Sequence, residues 1–286
     1  MRPTGTVLHR DAVLLAVLGQ RIRIECCDPE LRALLVAMYE SMAVPDDGRP
    51  ADLCYRIDSS GTPAVISISR PGLGTFNAHA PDEMVFLLEA DVTVVLQRQR
   101  PDLLFMHAAA IEMQGKAFLL AAASGGGKST TAWALLHHGF GYLSDELSPV
   151  DLDSLCVYPY PRALSLKHAP PSAYPLPDDA IRLPHTIHVG ASSLRGAVLN
   201  EPRPIGAVFV LQRERSGGFP TLRTLEAAEA AAYLYVNALN ALAHSNRGLE
   251  AVVHVAGHVP CHAVSIGELP ATCALIEHAV KRAFAF

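Results

Sequence analysis

The chain is poor in the features that would place it at once. No stretch of its 286 residues approaches the 18 or more consecutive apolar residues of a membrane span, so no transmembrane segment is expected. The opening Met1-Arg-Pro-Thr-Gly5 has no apolar h-region and no cleavage site, which argues against secretion and for a cytoplasmic protein. No run of Lys and Arg exceeds two residues and the formal net charge is -5, so the basic footprint of a nucleic-acid-binding protein is missing. The six cysteines form no C-x-x-C pair, and the adjacent Cys26-Cys27 is not a framework spacing. In a reducing compartment they read as small core residues rather than disulfides or thiolate metal ligands.

Half of the residues are hydrophobic, enough for one large domain or two modest ones. Residues 1–100 read as an α+β subdomain. Leu18–Glu25 alternates like a strand; Asp28 and Pro29 open a helix running to about Met42; Leu53–Asp58 and Ala64–Ser69 form a hairpin. Pro81 begins a second helix that reaches the high 90s. This third carries no nameable chemistry and is open to being part of a sheet, a dimer surface or a partner-binding module, a homo-oligomer being one of the readings it allows. Residues 101–286 form the second unit, where strands and helices alternate as in an α/β core. Seven prolines between Pro159 and Pro184 argue for rigid turns there. Leu225–Leu242 is expected as a helix, Val252–Ile266 as two short strands and Pro270–Ala285 as a terminal helix. His254, His258 and His262 have a ligand-like spacing, but Gly257 and Pro260 interrupt it and Val252–Val255 reads as a strand, so they are taken as ordinary histidines.

The chemistry concentrates in Ser124-Gly125-Gly126-Gly127-Lys128-Ser129-Thr130, between the apolar run Ala117–Ala123 and the helical pattern that begins at Thr131. Strand, glycine loop, Lys-Ser and helix make the layout of a phosphate-binding P-loop. Glycines let backbone N–H groups converge on phosphate oxygens, and the helix N-terminus adds unpaired donors and the positive end of its dipole. Lys128 is placed to reach the β- and γ-phosphates of ATP and the Ser129 hydroxyl to ligate Mg²⁺. The motif departs from its pattern at Ala122, where glycine is usual; alanine costs little there if its φ is negative.

Phe140-Gly-Tyr-Leu-Ser-Asp145-Glu146 follows as a strand ending in acids. Asp145 lies 17 residues after Lys128, just enough for one helix and a return strand, which favours a compact kinase-like site over a mechanical ATPase. One acid would hold Mg²⁺ and the other would accept a hydroxyl proton.

Met106-His107, Ser124-Gly-x-Gly-Lys-Ser129 and Leu143-Ser-Asp-Glu146 together resemble the HPr serine kinase group, which is related to ATP-dependent phosphoenolpyruvate carboxykinase. His107 stands 21 residues before Lys128, a gap that suits the group. The resemblance is specific over residues 105–150. It extends more weakly to Tyr158–Lys167 and Pro260–Leu269, segments that also look like kinases of lasso-peptide precursors. It implies a P-loop kinase core of the HPr kinase/carboxykinase type that uses ATP and Mg²⁺ and phosphorylates a serine of a peptide or protein, with a lasso-type precursor as the leading acceptor. It implies His107, Lys128, Asp145 and Glu146 as catalytic residues, Ser129, Asp145 and Glu146 as metal ligands, and Arg162 and Lys167 as candidates for substrate contact. The Asp-Glu pair stands where the group has Asp-Asp, which leaves open how base and metal roles divide. A metabolite kinase or a nucleotide-binding module without phosphotransfer remains an alternative.

Overall fold

The computed structural model describes residues 11–61, 65–213 and 218–282; readings that fall on residues 1–10, 62–64, 214–217 and 283–286 lie outside the described residues. The described residues form a mixed α/β structure with three sheets. Among the described residues no helix is long and apolar enough to cross a membrane.

The first sheet takes its five strands in sequence order: β1 (Ala12–Val17), β2 (Gln20–Cys26), β3 (Leu53–Ser60), β4 (Val65–Arg70) and β5 (Leu73–Ala78). Two helices, α1 (Pro29–Tyr39) and α2 (Pro81–Gln99), cover one face. β3 shows why the other face is solvated: Leu53, Tyr55 and Ile57 are buried while Cys54, Arg56 and Asp58 point outward. Asp28 caps α1 by accepting from the N–H groups of Glu30 and Leu31, and Pro29 follows in the first turn. The strand expected from Leu18 begins later, because Leu18 and Gly19 both have positive φ (50° and 81°) and form the β1–β2 hairpin turn. Neither β1 nor β5 was anticipated: Ala12–Val17 does not alternate, and β5 is a mostly exposed strand.

The second sheet is built from β6 (Leu103–Met106), β7 (Ala108–Met113), β8 (Lys116–Ala121), β9 (Gly141–Ser144), β10 (Ser148–Asp151), β11 (Cys156–Val157), β15 (Arg203–Arg213), β16 (Thr221–Thr224) and β17 (Cys261–Ile266). Three short strands from the proline-rich stretch, β12 (Leu164–Leu166), β13 (Ile181–Arg182) and β14 (Ile187–Val189), make the third sheet. Helices α3 (Lys128–Leu136) and α6 (Leu269–Arg282) cover one face of the second sheet, and α4 (Ala227–Val236) and α5 (Leu249–His258) the other. β8 is therefore buried on both faces, with Phe118 and Leu120 toward α3 and Ala117, Leu119 and Ala121 toward α4 and α5. That double burial is why its sequence is a continuous apolar run without alternation.

Two expectations need correction. The helix read as Leu225–Leu242 ends at Val236, and Val252–Val255 is helical rather than extended, because Ala251, Val252, Val255 and Ala256 fall on one buried face of α5. His254 and His258 thus share a helix with ring centroids 4.4 Å apart, while His262 lies on β17 stacked against Phe209. Among the described residues no group of three or more His, Cys, Asp or Glu side chains could hold a metal ion.

Strand direction decides where the site lies. β15 runs parallel to β8 and β17 runs parallel to β15. β7 lies between β8 and β9 and is antiparallel to both, with Ala108 opposite Ala121 and Ala110 opposite Ser144. β9 therefore points the same way as β8, and the outgoing ends of β8, β9, β15 and β17 share one sheet edge with the incoming end of β7.

Candidate functional site

That edge gathers the glycine loop after β8, the acids after β9 and His107 before β7. In the loop, Gly125 and Gly127 have φ of +73° and +93°, which a side chain would strain. Gly126 is required for a different reason: a Cβ there would lie 2.7 Å from the Ala122 Cβ and 2.8 Å from the Ala123 carbonyl oxygen. Ala122 is buried and outside the left-handed region, so the departure from glycine carries no backbone strain. Its methyl closes the floor of the loop against Gly126. Helix α3 starts at Lys128 with Gly127 at its N-cap and no side-chain cap, so its first N–H groups face the loop. Ser124, Gly125, Ser129 and Thr130 surround this mouth without being buried.

Lys128 is 5% exposed. Burial lowers its pKa against the opposing pull of Glu146 and Asp145, and among the described residues it makes no ion pair. Ser129 Oγ donates to Asp145 Oδ1 at 2.9 Å, and the Ser165 N–H donates to Asp145 Oδ2 at 3.2 Å. Asp145 is fully buried; burial first and the charge of Glu146 second raise its pKa above the ordinary carboxylate range. Glu146 behaves oppositely. The hydrogen bond from His107 Nε2 at 2.9 Å, helped by the charges of Lys128, His107 and Arg162, holds its carboxylate low. The Glu146 side chain is 42% exposed, and its backbone sits at φ +79°, a conformation that costs a non-glycine residue about 1–2 kcal/mol. His107 is itself positioned by its backbone N–H, which donates to the Asn237 carbonyl at 2.7 Å.

Arg162 and Lys167, one on each side of β12, differ sharply. Lys167 is exposed at the end of β12, close enough for its charge to act on Lys128. Arg162 is buried and faces inward: its Nε lies 3.6 Å from Glu89 Oε2, and its backbone carbonyl accepts from the Tyr142 hydroxyl at 2.9 Å. Arg203, farther along the chain, pairs with Glu201 at the incoming end of β15, the far edge of the sheet. Sequence spacing gave no sign of Glu89, which reaches Arg162 by tertiary packing from α2, an element without a motif, nor of the contacts that Tyr142 and Ser165 make from within the quoted segments.

The residues present fit a magnesium nucleotide. Ser129 and Asp145 offer a hydroxyl and a carboxylate oxygen side by side, the hard donors Mg²⁺ takes, and such a site completes its shell with phosphate oxygens and water rather than an all-protein cage. The glycine loop and Lys128, which has no ion pair among the described residues, have the chemistry that phosphates would need.

No protein-family model matches the chain, and no curated protein matches it. Among solved structures, the chain is similar to the HPr(Ser) kinase/phosphatase from Coxiella burnetii with 16% identity, covering 62% of this chain and 88% of that chain at a TM-score of 0.32. A likeness of that degree says nothing about what this chain does.

Proposed function

We propose that this chain is an ATP-dependent phosphotransferase that moves the γ-phosphoryl group of ATP to a serine hydroxyl of a peptide or protein. One observation carries the reading: Lys128, a buried cation without an ion pair among the described residues, sits at an uncapped helix start behind three glycines, two of which exclude a side chain by their conformation and one by close contact. Such a cation is costly until an anion reaches it. A triphosphate brings that anion, and the neighbouring Ser129–Asp145 oxygens suit the Mg²⁺ that accompanies it.

Each residue then has a role. Lys128 and the N–H groups of the loop hold the phosphates and stabilise charge as it spreads over the transferring group. Ser129 and Asp145 would hold Mg²⁺, which when bound neutralises charge between the β- and γ-phosphates. Glu146, the more accessible acid, accepts the proton of the attacking hydroxyl. As the serine oxygen bonds to the γ-phosphorus and the bond to the bridging oxygen breaks, ADP leaves and the proton ends on Glu146. A carboxylate held this low suffices, since a loose transition state asks little of its base. His107 holds the Glu146 carboxylate low and aims it. Lys167, exposed at the rim, is placed to meet the acceptor or the moving phosphoryl group. The weak likeness of Tyr158–Lys167 to lasso-precursor kinases makes a precursor-peptide serine the first acceptor to try.

The test is transfer of label from γ-labelled ATP to candidate peptides, with mass spectrometry to locate the phosphate. Lys128→Ala is expected to abolish labelling. Undiminished labelling by that variant would refute the reading, and ATP binding without labelling of any acceptor would favour a nucleotide-binding module.

A further inference from the structure

Helix α2 is apolar on two sides. Its inner side buries Met84, Val85, Leu88, Val92, Val95 and Leu96 under the first sheet. Its outer side carries Glu83, Phe86, Ala90 and Val94, all exposed, with Phe86 69% and Val94 42% accessible to solvent. Phe86, Ala90 and Val94 follow one another at four-residue steps, so they form one stripe along the helix. A helix that covers a sheet and otherwise faces water ordinarily turns polar side chains outward. Helix α6, which covers the second sheet, does so with His278, Lys281 and Arg282. Helix α2 instead places a phenylalanine outward in its first half and a valine in its second.

The order of residues along the stripe indicates what covers it. Ala90 is the midpoint: Phe86 lies four residues before it and Val94 four after, while Glu83 lies seven before and Arg98 eight after. A second copy of α2, laid antiparallel about a two-fold axis at Ala90, therefore meets the same pattern in reverse. Phe86 of each copy falls over the Ala90–Val94 step of the other, and the small Ala90 side chains let the helix axes approach. Glu83 of each copy falls beside Arg98 of the other. Arg98 is exposed and makes no ion pair among the described residues; Glu83 is exposed, with one carboxylate oxygen accepting from the His79 N–H at 2.7 Å. A two-fold contact repeats every such pair. A lipid surface would ask for a basic row beside the stripe, and this stripe opens on an acid.

We propose that α2 is a homodimerisation surface: two copies of the chain pair antiparallel through Phe86, Ala90 and Val94, with Glu83 of each against Arg98 of the other. From Glu83 to Arg98 the stripe is about 22 Å long, which is at the small end of specific interfaces, so monomer and dimer should exchange as concentration changes. The inference stands apart from the phosphotransferase reading, and neither fails with the other.

The test is sedimentation velocity of the full chain from micromolar to sub-millimolar concentration, with thermal melts alongside. The wild-type protein is expected to pass from monomer to dimer in that range. Phe86→Ser, at an exposed position, is expected to keep the melting temperature of the dilute protein and to weaken dimerisation at least about a hundredfold, because both copies lose the side chain. Glu83→Arg and Arg98→Glu are each expected to dimerise poorly alone, since each sets like charges against one another, and to form a mixed dimer when combined, since the mixture restores both pairs. A wild-type protein that stays monomeric at the highest concentration overturns the inference and leaves the stripe to a different partner. A dimer that Phe86→Ser leaves intact overturns it too, as does a mixture of the charge variants that associates no better than either alone. Should Glu83→Arg fail to fold without its His79 contact, Ala90→Cys decides the register. Position 90 meets itself at the two-fold axis, so an added oxidant is expected to link the two copies by a disulfide, and cross-linking no greater than that of the wild-type protein overturns the inference.

Discussion

Replacing Lys128 by methionine is expected to push stability and function in opposite directions. The side chain is 5% exposed, and burial disfavours its charge more than Glu146 and Asp145 favour it, since the net effect on its pKa is downward. For a lysine, a folded-state pKa below the unfolded one means that the charged form carries a folding cost, which is present at neutral pH and relieved only as pH rises toward the unfolded value. Methionine nearly matches the apolar stem in length and removes the charge. The free protein should therefore gain on the order of 1 kcal/mol, typical of relieving a destabilised functional position. For a chain of this size that is a rise in melting temperature of about 2–4 °C. The same change removes the cation that the proposed function assigns to the phosphates, so transfer from ATP should fall at least 10²–10³-fold, the scale of losing one stabilising donor at a charged transition state. Scanning fluorimetry of ligand-free protein, nucleotide titration and γ-label transfer read the three quantities. A ligand-free Lys128→Met protein that melts several degrees lower would refute the reasoning, because Lys128 would then be a structural partner of Glu146 rather than a cation awaiting phosphate.

Other expectations follow from single contacts. Gly126→Ala places a Cβ 2.7 Å from that of Ala122 and 2.8 Å from the Ala123 oxygen, so nucleotide binding should be lost with about 1–3 kcal/mol of stability; Ala122→Gly in the same chain relieves only the methyl contact and should restore binding in part, as calorimetry would show. His107→Ala removes the hydrogen bond that aims Glu146, and should lower the transfer rate about 10²-fold while leaving ADP affinity within a few-fold, measured by single-turnover transfer against equilibrium binding. His188 is 3% exposed, its Nδ1 has no hydrogen-bond partner among the described residues, and burial, reinforced by the Arg162 charge, holds its pKa down to about 4. Its neutral form is the one that fits the fold, so its contribution is complete above about pH 6.5 and is lost as pH falls toward 4, up to roughly 3 kcal/mol. Denaturant melts between pH 7 and 4 should show that slope, and His188→Leu should flatten it.

Local signals were legible where a residue's role is set by its immediate neighbours. The Asp28-Pro29 helix start, the apolar β8, the glycine loop and the acid step at Asp145-Glu146 all follow from capping, burial and backbone freedom, which act over a few positions. The readings failed where distant packing chose between near-equal local options. The valine-rich Val252–Val255 became helix because α5 could bury one face against β8 and β15, and Leu225–Leu242 stopped at Val236 where the chain turns to brace His107 through Asn237.

By itself the sequence determined that a glycine loop with the layout of a phosphate cradle lies here and which residues compose it, because glycine conformation, helix start and the following lysine are consecutive in the chain. Only the tertiary structure decided which groups meet that loop. An antiparallel β7 between β8 and β9 brings His107 and both acids to its edge, and the packing of α2 brings Glu89 to Arg162. Strand direction and long-range charge sharing have no period in a sequence, so no spacing along the chain encodes them.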